Sequence, residues 1–192
     1  MPEDPEYTER LKKLQGLRKL GIEPYGAYTY DQTDFSADIQ QAYSGLAVGE
    51  KTKKSVSVAG RIMTKRDMGK VAFFHIQDRK GQVQIHVREE DLGNKQYQLY
   101  EHLDLGDIVG VKGTVFRTKK GEVSVFAAEL TLLAKALRPL PEKFHGLKDP
   151  ELRHRRRYVD LIVNPEVRET FIKRAQIITA IRDYLNRHQF LE

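Results

Sequence analysis

The stretch 70-KVAFFHIQDRKGQVQIHV-87 reads as two short strands joined by a tight turn. Side chains alternate faces along a strand, so the adjacent Phe73 and Phe74 must point in opposite directions. Placing Asp78 to Gly81 at the turn pairs Gln77 with Gln82. Continuing the antiparallel ladder pairs Ile76 with Val83, His75 with Gln84, Phe74 with Ile85 and Phe73 with His86. One face of the hairpin then holds Ala72, Phe74, Ile76, Val83, Ile85 and Val87, all apolar. The other holds Val71, Phe73, His75, Gln77, Gln82, Gln84 and His86. Phe74 is expected in a core, whereas Phe73 sits among amides and imidazoles and calls for another explanation.

Working outward, three more β-type runs flank the hairpin: "SVSVAGRIMT" from Ser55, "DIVGVKGTVFRT" and "EVSVFAAELTLL". "MGK", "DRKG" and "TKKG" punctuate them as turns, and the helical "DLGNKQYQLYEHL" separates the third strand from the fourth. Five short strands with a helix between the third and fourth is the chain order of an OB-fold, a five-stranded Greek-key barrel. Its second and third strands commonly present an oligonucleotide-binding face. The expected class is α+β, mainly β.

Before the barrel, Leu11, Leu14, Leu17 and Leu20 recur at three-residue spacing and Gly21 supplies a stop, which predicts an amphipathic helix. Ser36 is expected to cap a short second helix, and the tyrosines between the two helices are expected to pack the arm against the barrel. Beyond Lys135, three prolines mark a linker that runs into the basic cluster "RHRRR". Asn164 before Pro165 is placed to start a helix whose stripe is Val167, Phe171, Ile177, Ile178, Ile181 and Leu185. The expected division is an arm over 1–52, a barrel over 53–135, a linker over 136–157 and the start of another domain over 158–192.

Charge is unevenly distributed. The chain carries +6 overall, but residues 51–88 hold 10 Lys/Arg against 2 Asp/Glu, so the hairpin lies in the most positive segment. Such an excess suits a polyanion, although a solvated basic face has the same composition. The 192 residues contain no cysteine, which excludes disulfides and thiolate metal sites. The acidic N-terminus lacks the apolar segment of a secretory signal, and no apolar run is long enough to cross a bilayer, so a cytoplasmic location without membrane association is expected. His75 and His86 share a face, but two histidines without a third ligand do not make a metal site. "GEKTKK" does not fit a phosphate-binding loop, and Glu89, Glu90 and Asp91 suit helix capping better than acid/base work.

An aromatic ring among amides, close to Arg61, Lys65, Arg66 and Lys70, suits single-stranded nucleic acid. The ring stacks on a base, glutamine reaches a base edge, and the cations meet phosphates. The alternative is a structural or protein-interaction barrel in which Phe73 is covered by a partner or by the arm.

The strings "GRIMTKRDMGKVAFFHIQDRKGQVQIHV", "LGDIVGVKGTVFRTKKGEVSV" and above all "RPLPEKFHGLKDPELRHRRRYVDL" closely resemble the N-terminal region of bacterial-type class II lysyl-tRNA synthetases, from about Glu6 to Glu192. That resemblance implies an anticodon-binding barrel in which Phe73 stacks on a uridine of lysine tRNA and Gln84 and Arg66 read it. Glu122 would contact a neighbouring base, while His75, His86, Arg61, Lys65 and Lys70 are less specific candidates. It also implies that the last helix belongs to the first catalytic motif and to a homodimer interface. The second and third motifs have no counterpart here, so no catalytic residue is assigned. ATP and magnesium are expected only for a complete enzyme, and the chain alone is expected to be inactive.

Overall fold

The structure is a computed structural model and describes residues 5–27, 29–141 and 147–191. It divides into two compact units, Met1–Pro139 and Leu140–Glu192.

In the first unit, five strands close into a barrel: β1 (Lys51–Met68), β2 (Val71–Gln77), β3 (Gln82–Arg88), β4 (Ile108–Arg117) and β5 (Val123–Ala134). Their order around the barrel is β1-β2-β3-β5-β4, the OB-fold arrangement. All pairs are antiparallel except β3 with β5, which run parallel. β1 is longer than its apolar run from Ser55 suggested, because it serves two neighbours. Ser55 to Arg61 pair with β4 and Arg61 to Met68 pair with β2, with a shift in register between Ile62 and Thr64. Such a shift bends a strand enough to let it take part in both walls.

The hairpin has the register expected from its sequence, from Gln77 opposite Gln82 to Phe73 opposite His86. All six residues of its apolar face are sealed in the core with Val58, Ile62, Val111, Val115 and Val125. The segment between β3 and β4 forms two helices, α3 (Glu89–Leu92) and α4 (Asn94–Glu101), rather than one. Gly93 breaks them with φ +73°, where a side chain would be strained. Leu99, Tyr100 and Leu103 from this segment join the core, and the Tyr100 ring stacks 5.9 Å from Phe74.

The arm comprises α1 (Pro5–Lys19) and α2 (Ser36–Ala42). Gly21, at φ +72°, ends α1 as expected, with the Ile22 N–H donating to the Leu17 carbonyl. Leu14 and Leu17 are buried but Leu11 and Leu20 only partly, because Arg10 occupies the buried side with them. Its guanidinium donates to the carbonyls of Leu105 and Ala136, each at 2.9 Å. The tyrosines dock the arm as expected: Tyr25 donates to the Lys135 carbonyl, and Tyr30 packs where a Cβ on Gly110 would meet its ring at 2.3 Å. Tyr28 lies outside the described residues.

Ser36 does not cap α2 in the expected way. Phe35 is the N-cap residue and its side chain makes no capping bond. The carboxylate of Asp78, in the hairpin turn, accepts from the Ser36 N–H and hydroxyl at 2.6 and 2.7 Å. It also accepts from the N–H groups of Lys80 and Gly81. One acidic residue therefore shapes the turn and satisfies the start of the helix above it. A buried ion cluster was equally invisible in the sequence. The Lys135 ammonium, wholly buried, donates to Asp107 at 2.9 Å and Asp104 at 2.6 Å, and Lys13 of α1 reaches Asp104 at 2.5 Å.

The second unit contains α5 (Pro150–Arg155), α6 (Arg157–Val163) and α7 (Pro165–Arg187). The expected linker is thus helical from Pro150 onward, capped by Asp149, and its residues 142–146 lie outside the described residues. Arg153 and Arg157 of the basic cluster converge on the buried carboxylate of Asp160. Asn164 stands at the N-cap of α7 but donates to Asp160 at 2.6 Å instead of capping. Phe171, Ile177, Ile178, Ile181 and Leu185 of the expected α7 stripe are all exposed. Among the described residues no helix is long and apolar enough to cross a membrane.

Candidate nucleic-acid interface

The outer face of the β2–β3 hairpin is built by alternation: with Phe74 and Ile76 turned inward, Phe73, His75 and Gln77 must face out. Arg66 of β1 lies directly opposite Phe73. Residues paired in this way share a face, so the two side chains leave the sheet on the same side. Arg66 is exposed and its side chain makes no hydrogen bond or ion pair with another described residue. It is a cation left available for a partner.

Phe73 is partly exposed and rests on His86, with ring centroids 4.6 Å apart. His86 is not available at the surface, contrary to expectation. It is only 9% exposed and is enclosed by Phe126 of β5 and Phe116 of β4, at 5.0 and 5.4 Å. Its Nδ1 has no hydrogen-bond partner. Burial, reinforced by the nearby Arg88 charge, pushes the imidazole below its usual value and favours the neutral ring. His86 is a support beneath Phe73 within an aromatic band that crosses four strands.

Beside that band lies a hydrogen-bonded chain. Glu122 of the β4–β5 turn accepts from His75 Nε2 at 2.8 Å and from Gln84 Nε2 at 2.6 Å, one bond to each carboxylate oxygen. His75 Nδ1 is 2.8 Å from the Thr64 hydroxyl, and the Ser124 hydroxyl donates to Gln84 Oε1 at 2.9 Å. Glu122, assigned from resemblance alone, thus meets two residues assigned from the hairpin pattern. Thr64 and Ser124 carried no sequence signal. Ser124 arrives through the parallel pairing of β3 with β5, which places it opposite Gln84.

The remaining expected cations divide. Lys70 is exposed in the β1–β2 turn. Lys65 pairs with Phe74, on the inward side, and its ammonium donates to the carbonyls of Tyr100 and Leu103 while lying 4.2 Å over the Tyr100 ring. Burial lowers its pKa and favours the neutral amine. Arg61 is held by the Gly106 carbonyl at 2.7 Å. Neither Lys65 nor Arg61 therefore belongs to the Phe73 cluster. Phe116 and Arg117 lie in barrel strand β4, with Arg117 fixed by the carbonyls of Ser44, Leu46 and Gly121.

Residues 56–133 match the OB-fold nucleic acid binding domain family, and residues 149–192 match the class II tRNA synthetases of the D, K and N type. The lysine–tRNA ligase of Carboxydothermus hydrogenoformans is 54% identical over 183 residues, covering 95% of this chain. The chain is homologous to lysine–tRNA ligases. The ligases of Thermoanaerobacter pseudethanolicus and Bacillus subtilis are each 50% identical, also across 95% of the chain. This lysine–tRNA ligase homologue spans only 36–37% of the length of those relatives. Among its described residues no group of three or more His, Asp or Glu is placed to hold a metal ion.

Proposed function

We propose that the barrel binds the anticodon loop of lysine tRNA as the recognition module of a lysine–tRNA ligase. The observation that carries this proposal is the cross-strand pair of Arg66 and Phe73: a partly exposed ring and an exposed guanidinium on one face, with the Gln84 amide and the Glu122 carboxylate bonded to each other on the same hairpin face. Phe73 stacks on a uridine, Gln84 and Arg66 contact its edge, and Lys70 strengthens attraction to the phosphates. Glu122 and His75 border the same site. His86 acts from beneath, by holding the Phe73 ring. Stacking on such a ring is worth about 1–3 kcal/mol per base, and the cations make binding fall with added salt.

The division into an arm over 1–52, a barrel over 53–135, a linker over 136–157 and a synthetase segment over 158–192 belongs to the same proposal. The exposed apolar stripe of α7 supports its assignment to the homodimer interface of a complete ligase. Activation of lysine with ATP and magnesium is assigned to the rest of a ligase's length, in the cytoplasm, and no step of it is placed on this chain.

The deciding experiment is titration of the chain with an anticodon stem-loop carrying UUU. Salt-sensitive binding that Phe73→Ala weakens supports the assignment. Absence of binding, or binding indifferent to Phe73, favours a protein-interaction barrel.

A further inference from the structure

We propose that Glu122 and Ser124 lock the orientation of the Gln84 amide, and that this lock makes the site discriminate between pyrimidines. The proposal rests on the anticodon-binding function above and deepens it.

A glutamine amide is a donor on one side and an acceptor on the other, and a half-turn of its end group exchanges the two. An unrestrained glutamine therefore accommodates either order of donor and acceptor on a base edge. Here both sides are committed. An ionised carboxylate only accepts, so the group Gln84 turns toward Glu122, at 2.6 Å, must be its NH2. The carbonyl oxygen then faces Ser124, a fully buried side chain whose hydroxyl donates to it at 2.9 Å.

The other side of Glu122 is oriented by the same logic. His75 Nε2 must carry a proton to donate to the carboxylate, and in the neutral ring its Nδ1 then accepts from the Thr64 hydroxyl. The direction of the chain is therefore set from its centre, by a carboxylate that accepts on both sides, and the Thr64 and Ser124 hydroxyls turn to match it. Turning the Gln84 amide would set its carbonyl against the Glu122 carboxylate, replacing that hydrogen bond by repulsion, and would oblige the Ser124 hydroxyl to turn from donor to acceptor.

The locked amide retains one N–H and one carbonyl lone pair for a ligand. Uracil presents a carbonyl oxygen beside its N3–H, whereas cytosine presents an amino group beside a bare N3. The two bases thus offer donor and acceptor in opposite order at the same edge positions. With the base plane set by Phe73, a fixed amide complements one order and opposes the other. Ser124 and Thr64 are positioning residues in this scheme, since they act through Gln84 and His75 respectively.

The test compares stem-loops carrying UUU and UCU, each titrated against the chain and its Glu122→Gln and Ser124→Ala variants. Glu122→Gln is nearly isosteric at an exposed position, and the ratio of two affinities within one variant is insensitive to a common change in folding. The unaltered chain is expected to prefer UUU. In Glu122→Gln, whose new amide can donate as well as accept, the preference should shrink by about tenfold, the scale of one misdirected base-edge pair, with much of the change coming from tighter UCU binding. Ser124→Ala should shrink it in the same direction but by less, since a hydroxyl can meet either end of the amide. An unchanged ratio in both variants overturns the lock. So does a fall due only to weaker UUU binding, which would mark a lost contact rather than a freed amide. Failure of the unaltered chain to bind either loop overturns the function and the lock together.

Discussion

On one side of the β2–β3 hairpin, six apolar residues fill the barrel with apolar side chains of the neighbouring strands and of the helical segment before β4. On the other side, a ring, an imidazole and an amide are held by partners drawn from β1, β4, β5 and the turn before β5. The contrast separates two ways of using a strand. The inner face is specified by volume and apolarity, and an alternating sequence is enough to describe it. The outer face is specified by direction: which way each donor points and which ring supports which. Alternation reveals that such a face exists but not how its groups are aimed.

The largest test of this contrast is Phe74→Ala, which leaves a cavity in the sealed core. It should destabilise the chain by about 3–5 kcal/mol in denaturant unfolding. Phe73→Ala should do the reverse, with a much smaller loss of stability and a loss of about 1–3 kcal/mol in stem-loop affinity. Equal destabilisation by the two substitutions would remove the distinction between the faces. Lys70→Ala should reduce the salt dependence of binding by about one phosphate contact, whereas Lys65→Ala should leave that slope unchanged, because Lys65 is turned inward.

The smallest effect expected is on pH dependence. His86 is held below its ordinary value in the folded state by burial and by Arg88, whereas in an unfolded chain it titrates near 6.5. Between those two values the unfolded state binds more protons, so stability rises with pH across the window. The contribution is complete above about pH 6.5 and is lost as the pH falls toward the folded value. Chemical denaturation at successive pH values should show that slope, and His86→Phe should flatten it.

How much could be read from the sequence follows the same division. The hairpin register was legible because a slip by one residue would expose six apolar side chains, an error the pattern itself forbids. The strand order was legible from run lengths and turn residues. His86 was misjudged as a surface group because the rings that bury it, Phe116 and Phe126, lie in strands that local alternation cannot place. Lys65 was misjudged because the register shift after Ile62 reverses which residues of β1 face inward. Asp78, Arg10 and Lys135 gave no signal because each is defined by partners far along the chain. The Glu122 assignment drew on resemblance, and only the closed barrel supplies a physical reason why it stands beside Gln84.

The parallel seam between β3 and β5 has a consequence for the time course of folding. It joins Gln84 to Ser124 across 40 residues, whereas the β2–β3 hairpin closes over a turn of four. Contacts between distant residues form late, because chain entropy must be spent before they return any stabilisation. The hairpin with its phenylalanine can therefore exist well before the amide is aimed. A nascent or partly opened chain would possess a sticky ring without discrimination, and selectivity would appear only when the seam between β3 and β5 shuts.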